Sequence, residues 1–130
     1  MAQTNEPLLS VKGLKQYFPV SKKFTVRAVD NISFDIYPGE TYGLVGESGS
    51  GKSTTGRSII RLYDPTEGTI LFNGEDISKK LTAKQEKMLR SDMQMVFQDP
   101  MASLNPHKKI LDTIAMGLDA HHPHMDQNER

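Results

Sequence analysis

The 130-residue chain has no cysteine, which excludes a disulfide framework and any thiolate-ligated metal centre, so no structural zinc site is expected. It has no surplus of charge either: 16 basic side chains balance 16 acidic ones, and no global field draws it to nucleic acid or to an anionic membrane surface. A groove-tracking DNA binder is thereby disfavoured, and no nucleic-acid partner is expected. No window approaches the ~18 consecutive apolar residues that a membrane span requires. The opening "MAQTNEPLLS" lacks the charged start and apolar stretch of a secretion signal. Repeats and low-complexity tracts are missing too. What is left reads as a soluble, intracellular chain of one domain at most, in which 36% hydrophobic residues can supply a core.

The texture of the chain changes several times. From Leu8 to Tyr37 the runs "LLSVKGL", "QYFPV", "FTVRAVD" and "ISFDIY" are β-type, broken by "SKK" and closed by "PG", and they predict a twisted antiparallel sheet. "TYGLV" (41–45) is a continuous apolar run bounded by glycine, the pattern of a fully buried strand. From Gly51 the period becomes helical through "KSTTGRSIIRLY". "DPTEG" is a turn cluster, "TILF" alternates, and Asn73-Gly74 is a strong turn signal, so residues 64–77 predict short strand segments. Thr82 and Gln85 have capping-box spacing and open a polar helix to about Arg90. "MQMVF" (93–97) reads as a second buried strand. "QDPMASLNP" must be loop, because Pro100 and Pro106 cannot sit inside regular elements. Ile110, Leu111, Ile114 and Leu118 mark one face of a final helix, and the last ten residues, without apolar period, predict a frayed polar tail.

The chemistry concentrates at residues 46–56, "GESGSGKSTTG". Gly46, Glu47, Ser48, Gly49, Ser50, Gly51, Lys52 and Ser53 fit G-x-x-x-x-G-K-[ST], a loop whose successive backbone N–H groups turn inward as an anion nest at a helix N-terminus. Side chains would block that curl, whereas Gly46, Gly49 and Gly51 can adopt positive φ without strain. The helix dipole favours a phosphate, Lys52 reaches the β/γ oxygens, and the Ser53 hydroxyl can ligate Mg²⁺. A chance match in a chain this long is on the order of one in a few hundred, and a predicted strand before the loop with a helix after it lowers that chance further. A dinucleotide fingerprint is excluded, since Gly49-x-Gly51 would need glycine at position 54 and finds Thr54.

Phosphate binding alone does not name a reaction, because kinases, GTPases, helicases and transporters share this loop. Two further features carry information. Tyr17 and Phe18 lie in the β-type lead-in, where an aromatic could stack on adenine; an ordinary core role is the plainer reading of such a pair. Gln98 directly follows the second apolar run, where a neutral amide could ligate Mg²⁺ or orient a water, although a lone Gln in a loop is usually just solvated.

With these residues in company, the chain resembles the N-terminal part of ABC transporter ATPase subunits: "YPGE" leading into "TYGLV", the Walker A loop at 46–53, and a Q-loop beginning at Gln98. The strings "LKQYFPV", "VGESGSGKSTTGR", "RLYDPTEG" and "VFQDPMASLNP" resemble the oligopeptide/dipeptide importer branch. The resemblance implies an α/β fold: a P-loop NTPase of ABC type with an N-terminal antiparallel β subdomain and an incomplete core sheet. It divides residues 1–120 into a β lead-in (8–40), strand, loop and helix (41–63), β and helix (64–97), and Q-loop with the start of a helical subdomain (98–120), followed by a polar tail (121–130). It implies ATP and Mg²⁺ as ligands, Phe18 as the adenine-stacking aromatic with Tyr17 as runner-up, Gly46 to Thr54 as the phosphate loop with Thr54 near the α-phosphate, and Gln98 as metal and water sensor. The implied partners are transmembrane permease subunits, a second ATPase subunit and, indirectly, an extracytoplasmic peptide-binding protein, at the cytoplasmic face of the membrane.

Hydrolysis in such ATPases also uses an LSGGQ-type signature, an apolar strand ending in Asp-Glu, a D-loop and a switch histidine. Residues 99–130 contain none of them. His121, His122 and His124 read as a solvated tail, since a switch histidine follows a core strand. The expectation is therefore a piece of a longer ATPase that holds nucleotide without turning it over. Its apolar strand edges should be unpaired and prone to aggregation.

Overall fold

The structure, a computed structural model, describes residues 5–99 and 101–125. The chain divides into two compact units, residues 1–89 and 90–130.

The first unit is built on a long hairpin. Strands β1 (Leu9–Ser21) and β2 (Phe24–Ile36) pair antiparallel across a two-residue turn at Lys22 and Lys23. The four short β-type runs of the sequence thus merge into two strands. The breaks between the runs survive as register slips, one between Val11 and Leu14, where Gly13 and Asn31 both take φ near +59°; such bulges bend a strand and increase its twist. Strand β3 (Glu67–Phe72) joins the free edge of β1, and the short β4 (Glu75–Asp76) follows it, giving the order β2-β1-β3-β4. The turn between β3 and β4 is the expected Asn73-Gly74, with positive φ at both residues (50° and 78°), the geometry of a type I′ hairpin.

Helix α1 (Lys52–Ile59) packs on this sheet, and α2 (Ala83–Asp92) follows β4. Helix α1 is shorter than the sequence pattern because Arg61 adopts φ +60°, which ends the helical path. The Arg61 side chain is buried and donates to the carbonyls of Ile77 and Lys79 and to Asp64. Helix α2 begins on the predicted capping box: the Thr82 N–H donates to Gln85 Oε1 at 3.0 Å, and the Gln85 N–H to Thr82 Oγ1 at 3.2 Å. The core consists of Val11, Leu14, Ile70 and Ile77, wholly buried, with Leu9, Val29, Phe72 and Leu89 around them.

Two expected strands do not form. Residues 41–45 carry no ladder, and Val45 is 90% exposed; residues 93–97 behave alike, with Val96 at 95%. The physical reason is pairing. A buried strand needs a neighbour for its N–H and C=O groups, and among the described residues none lies alongside either segment. Tyr42 stacks on Phe34 with ring centroids 5.0 Å apart.

The second unit contains the 98–109 loop, as expected from its prolines, and helix α3 (Ile110–His121). Pro100 lies outside the described residues. Ile110, Leu111 and Ile114 do fall on one helix but are exposed. Of the predicted frayed tail, His121 closes α3, residues 122–125 are non-helical, and residues 126–130 lie outside the described part. No described helix is long and apolar enough to cross a membrane.

Candidate functional site

Residues 46–51 form an exposed loop that runs into α1, the first helix of the chain. Its shape follows from its glycines. Gly49 (φ +80°) and Gly51 (φ +91°) both lie in the left-handed region, as the sequence predicts. Gly46 does not, which corrects that expectation; a Cβ there would stand 2.5 Å from Ser50 Oγ, which would have to turn away to admit it. Gly51 is constrained twice over: it caps α1 in the left-handed conformation, and a Cβ would meet the Ala28 carbonyl oxygen at 2.2 Å. The loop end is thus pressed against the backbone of β2.

Lys52 curls back over this loop. Its ammonium donates to the carbonyls of Gly46 (2.8 Å) and Glu47 (2.5 Å) and to Ser50 Oγ (3.3 Å), and the Ser50 N–H closes a turn on the Glu47 carbonyl at 3.2 Å. The result is a ring of main chain with one cation at its mouth. Ser53 stands exposed in the first turn of α1, where a hydroxyl is free to reach a metal, and Thr54 follows it half-buried. The orphan N–H groups of a helix start are the donors an anion uses.

The helix holding this loop is anchored by polar contacts. Thr55 donates both its N–H (2.8 Å) and its hydroxyl (2.9 Å) to the Gly51 carbonyl. Ser58, fully buried, offers its one hydroxyl proton to two acceptors, the Thr54 carbonyl at 2.8 Å and Gln16 Oε1 of β1 at 3.1 Å. Neither Gln16 nor Ser58 was singled out from sequence. The available signal was weak: a glutamine at an inward position next to Leu14, and a serine at the core-facing turn of a helix.

Tyr17 and Phe18 follow Gln16 on β1 and, being successive strand residues, face opposite sides of the sheet. Phe18 meets Tyr63 edge-on, with centroids 5.2 Å apart, in the segment just beyond α1. The Tyr17 hydroxyl donates to Asp30 at 2.5 Å, which together with desolvation raises its pKa above the ordinary phenol value, and Arg27 lies over its ring. So Phe18 shares the side on which α1 packs, and Tyr17 is engaged with charged neighbours on the other. Gln98 is an exposed bend residue of the second unit, whereas the 46–51 loop belongs to the first. Among the described residues no cluster of His, Asp and Glu is arranged to hold a metal.

Known proteins share these features. The pattern of the ABC transporter family matches residues 29–130. The oligopeptide transport ATP-binding protein OppF of Bacillus subtilis is 57% identical over 125 residues, covering 96% of this chain and 41% of that protein. The dipeptide transport ATP-binding protein DppF of Lactococcus lactis is 50% identical over 87% of the chain and 36% of its own length. The chain therefore spans less than half of the curated relatives it matches. Among solved structures, the ATP-binding cassette MJ0796, in a dimeric post-hydrolysis state bound to ADP and Pi, superposes with a TM-score of 0.79 at 25% identity over 93% of this chain and 51% of that one. The antiparallel β subdomain, the strandless 41–45 segment and the loop-to-helix junction are thus parts of an α/β cassette of ABC type, and the chain belongs to the ABC transporter family.

Proposed function

We propose that this chain is the nucleotide-binding part of an ATP-binding subunit of an oligopeptide or dipeptide importer, which in its complete form couples ATP binding and hydrolysis to transport. The observation that supports it most is the loop itself: backbone N–H groups at the start of α1, positive φ at Gly49 and Gly51, and the Lys52 ammonium across the loop mouth. That arrangement suits a chain of phosphates, because the cation and the helix terminus present complementary charge from two sides. The peptide cargo is inferred from the names of the relatives.

In this reading Gly46, Glu47, Ser48, Gly49, Ser50 and Gly51 wrap the β- and γ-phosphates, Lys52 neutralises the terminal charge, and Thr54 lies near the α-phosphate. Phe18, on the α1 side of the sheet, stacks on the adenine in preference to Tyr17. The loop fits Mg²⁺, a hard cation that binds through one or two protein oxygens together with phosphate: the exposed Ser53 hydroxyl supplies one such oxygen. When bound, the ion would screen the charge of the β/γ oxygens. Gln98 lies on the loop that would pass nucleotide state to permease subunits. Its partner for closure is a second ATPase subunit, with a peptide-binding protein outside the membrane and this subunit peripheral on the cytoplasmic face.

The test is a titration of the full chain with a fluorescent ATP analogue, beside Lys52→Ala and Phe18→Ala, followed by peptide uptake in cells whose complete subunit carries the same substitutions. Saturable binding that Lys52→Ala abolishes, with uptake lost in parallel, is the expected result. Binding that ignores Lys52 would overturn the reading.

A further inference from the structure

The phosphate loop and Phe18 lie on different elements, yet one buried hydrogen bond joins those elements. Ser58 Oγ donates to Gln16 Oε1 at 3.1 Å, with Ser58 fully buried and Gln16 only 4% exposed. We infer that the Ser58–Gln16 bond is a positioning strut that sets the spacing between the base-binding aromatic and the phosphate loop, and so selects for ligands that carry both a nucleobase and a triphosphate. The inference rests on the nucleotide-binding reading above.

The geometry carries it. Ser58 is six residues along α1 from Lys52, about 9 Å at 1.5 Å per residue. Gln16 is two residues along β1 from Phe18, about 6.6 Å at 3.3 Å per residue, and on the same side of the sheet. Among the described residues no other side-chain hydrogen bond joins α1 and β1 at a buried position; Gly51 against Ala28 of β2 and Phe18 against Tyr63 beyond α1 are contacts of shape. Shape contacts between a helix and a sheet allow sliding, because apolar packing is non-directional. A buried amide–hydroxyl pair does not, since displacing it leaves a desolvated donor or acceptor. The same Ser58 proton also faces the Thr54 carbonyl at 2.8 Å, so the strut ties Gln16 to the turn of α1 that follows Ser53.

A slip of α1 along β1 leaves the phosphate loop intact, because its bonds are local: Lys52 to Gly46 and Glu47, Thr55 to Gly51. Inorganic tripolyphosphate, which touches only that loop, is indifferent to the slip. ATP, which must reach Phe18 as well, is not. The strut therefore acts on the ratio of the two affinities, which general loss of stability does not move.

The experiment measures Kd for ATP and for tripolyphosphate on the full chain, on Ser58→Ala, on Gln16→Met, and on the double variant, each with its melting temperature. Replacing both partners by apolar groups removes the unsatisfied atom and returns much of the stability. The expected result is a 10-fold or greater fall in ATP affinity with tripolyphosphate within 2-fold, persisting in the double variant although its melting temperature recovers, and reversed by Ser58→Thr. Equal loss of both ligands, or recovery of ATP affinity along with melting temperature, overturns the strut. If the single variants do not fold, the double variant alone decides by the same ratio. An unchanged ATP affinity in Phe18→Ala is the failure of the base-site reading, and the strut falls with it, whereas loss of ATP affinity in Phe18→Ala without loss in Ser58→Ala overturns the strut alone.

Discussion

The Lys52 ammonium stands 2.8 Å from the carbonyl oxygen of Gly46, six residues earlier in the chain, so the cation and the first glycine of the motif close the loop from opposite ends. At an exposed loop water competes for both partners of such charge-assisted hydrogen bonds, so they contribute little to folding. The same donors are the ones a terminal phosphate would use. Lys52→Ala is expected to lower ATP affinity ~100-fold, about 2.7 kcal/mol, while urea denaturation of the unliganded chain changes by less than ~1 kcal/mol, as for an exposed interaction. The two measurements on one variant separate binding from folding.

Two glycines of the loop should respond unequally to the same added methyl. Both have positive φ, so Gly49→Ala and Gly51→Ala each incur left-handed strain of about 1–2 kcal/mol. Only at position 51 does the Cβ also collide, at 2.2 Å from the Ala28 carbonyl, whereas position 49 faces open space. Gly51→Ala is expected to destabilise by about 3 kcal/mol or more, and Gly49→Ala by no more than about half of that. Chemical denaturation of the two variants gives the ranking.

The capping box of α2 offers a local check. Thr82→Ala removes the acceptor for the Gln85 N–H and is expected to cost about 1 kcal/mol. Thr82→Ser keeps the oxygen and should cost little. Amide exchange over residues 83–86 should rise in the first variant alone.

Acid sensitivity is expected at Asp76. The Ser78 hydroxyl, and then the Ser78 backbone N–H, hold its carboxyl below the ordinary carboxylate pKa. A folded-state pKa below the unfolded one contributes stability above the unfolded value and loses it as pH falls through the folded one. Ser78→Ala should therefore lower stability at neutral pH, and the difference from the parent chain should vanish at a pH below both values. A difference that persists unchanged into strong acid would assign the effect to packing.

Turnover provides a fifth measurement. Residues 99–130 hold no LSGGQ string and no Asp-Glu pair after an apolar run, and phosphoryl transfer depends on positioning and charge stabilisation from several groups at once. Residues 1–130 alone are expected to release no phosphate above background while still binding ATP. Release that Lys52→Ala abolishes would contradict this.

Short-range features were legible in the amino-acid sequence because they depend on bonds between residues a few positions apart. The glycine-rich loop running into a helix, the Asn73-Gly74 turn and the Thr82–Gln85 box all appear where the motifs put them. Their causes are local: allowed φ, a missing Cβ, a side chain reaching three residues along. The apolar runs 41–45 and 93–97 were read as strands because hydrophobicity and β-propensity are all a single chain reveals of a strand. Whether a ladder forms depends on a neighbour, and among the described residues neither run has one.

By itself, then, the sequence determined the loop, its lysine and its family. Only the tertiary structure decided that Phe18 and not Tyr17 shares the side of α1, that Gly46, unlike Gly49 and Gly51, does not take positive φ, and that Ser58 reaches Gln16 across 42 positions of chain. The reason is physical. Which side of a sheet a residue takes, and which buried donor meets which acceptor, depend on register and packing between distant segments, and those are properties of the folded arrangement, not of any short stretch within it.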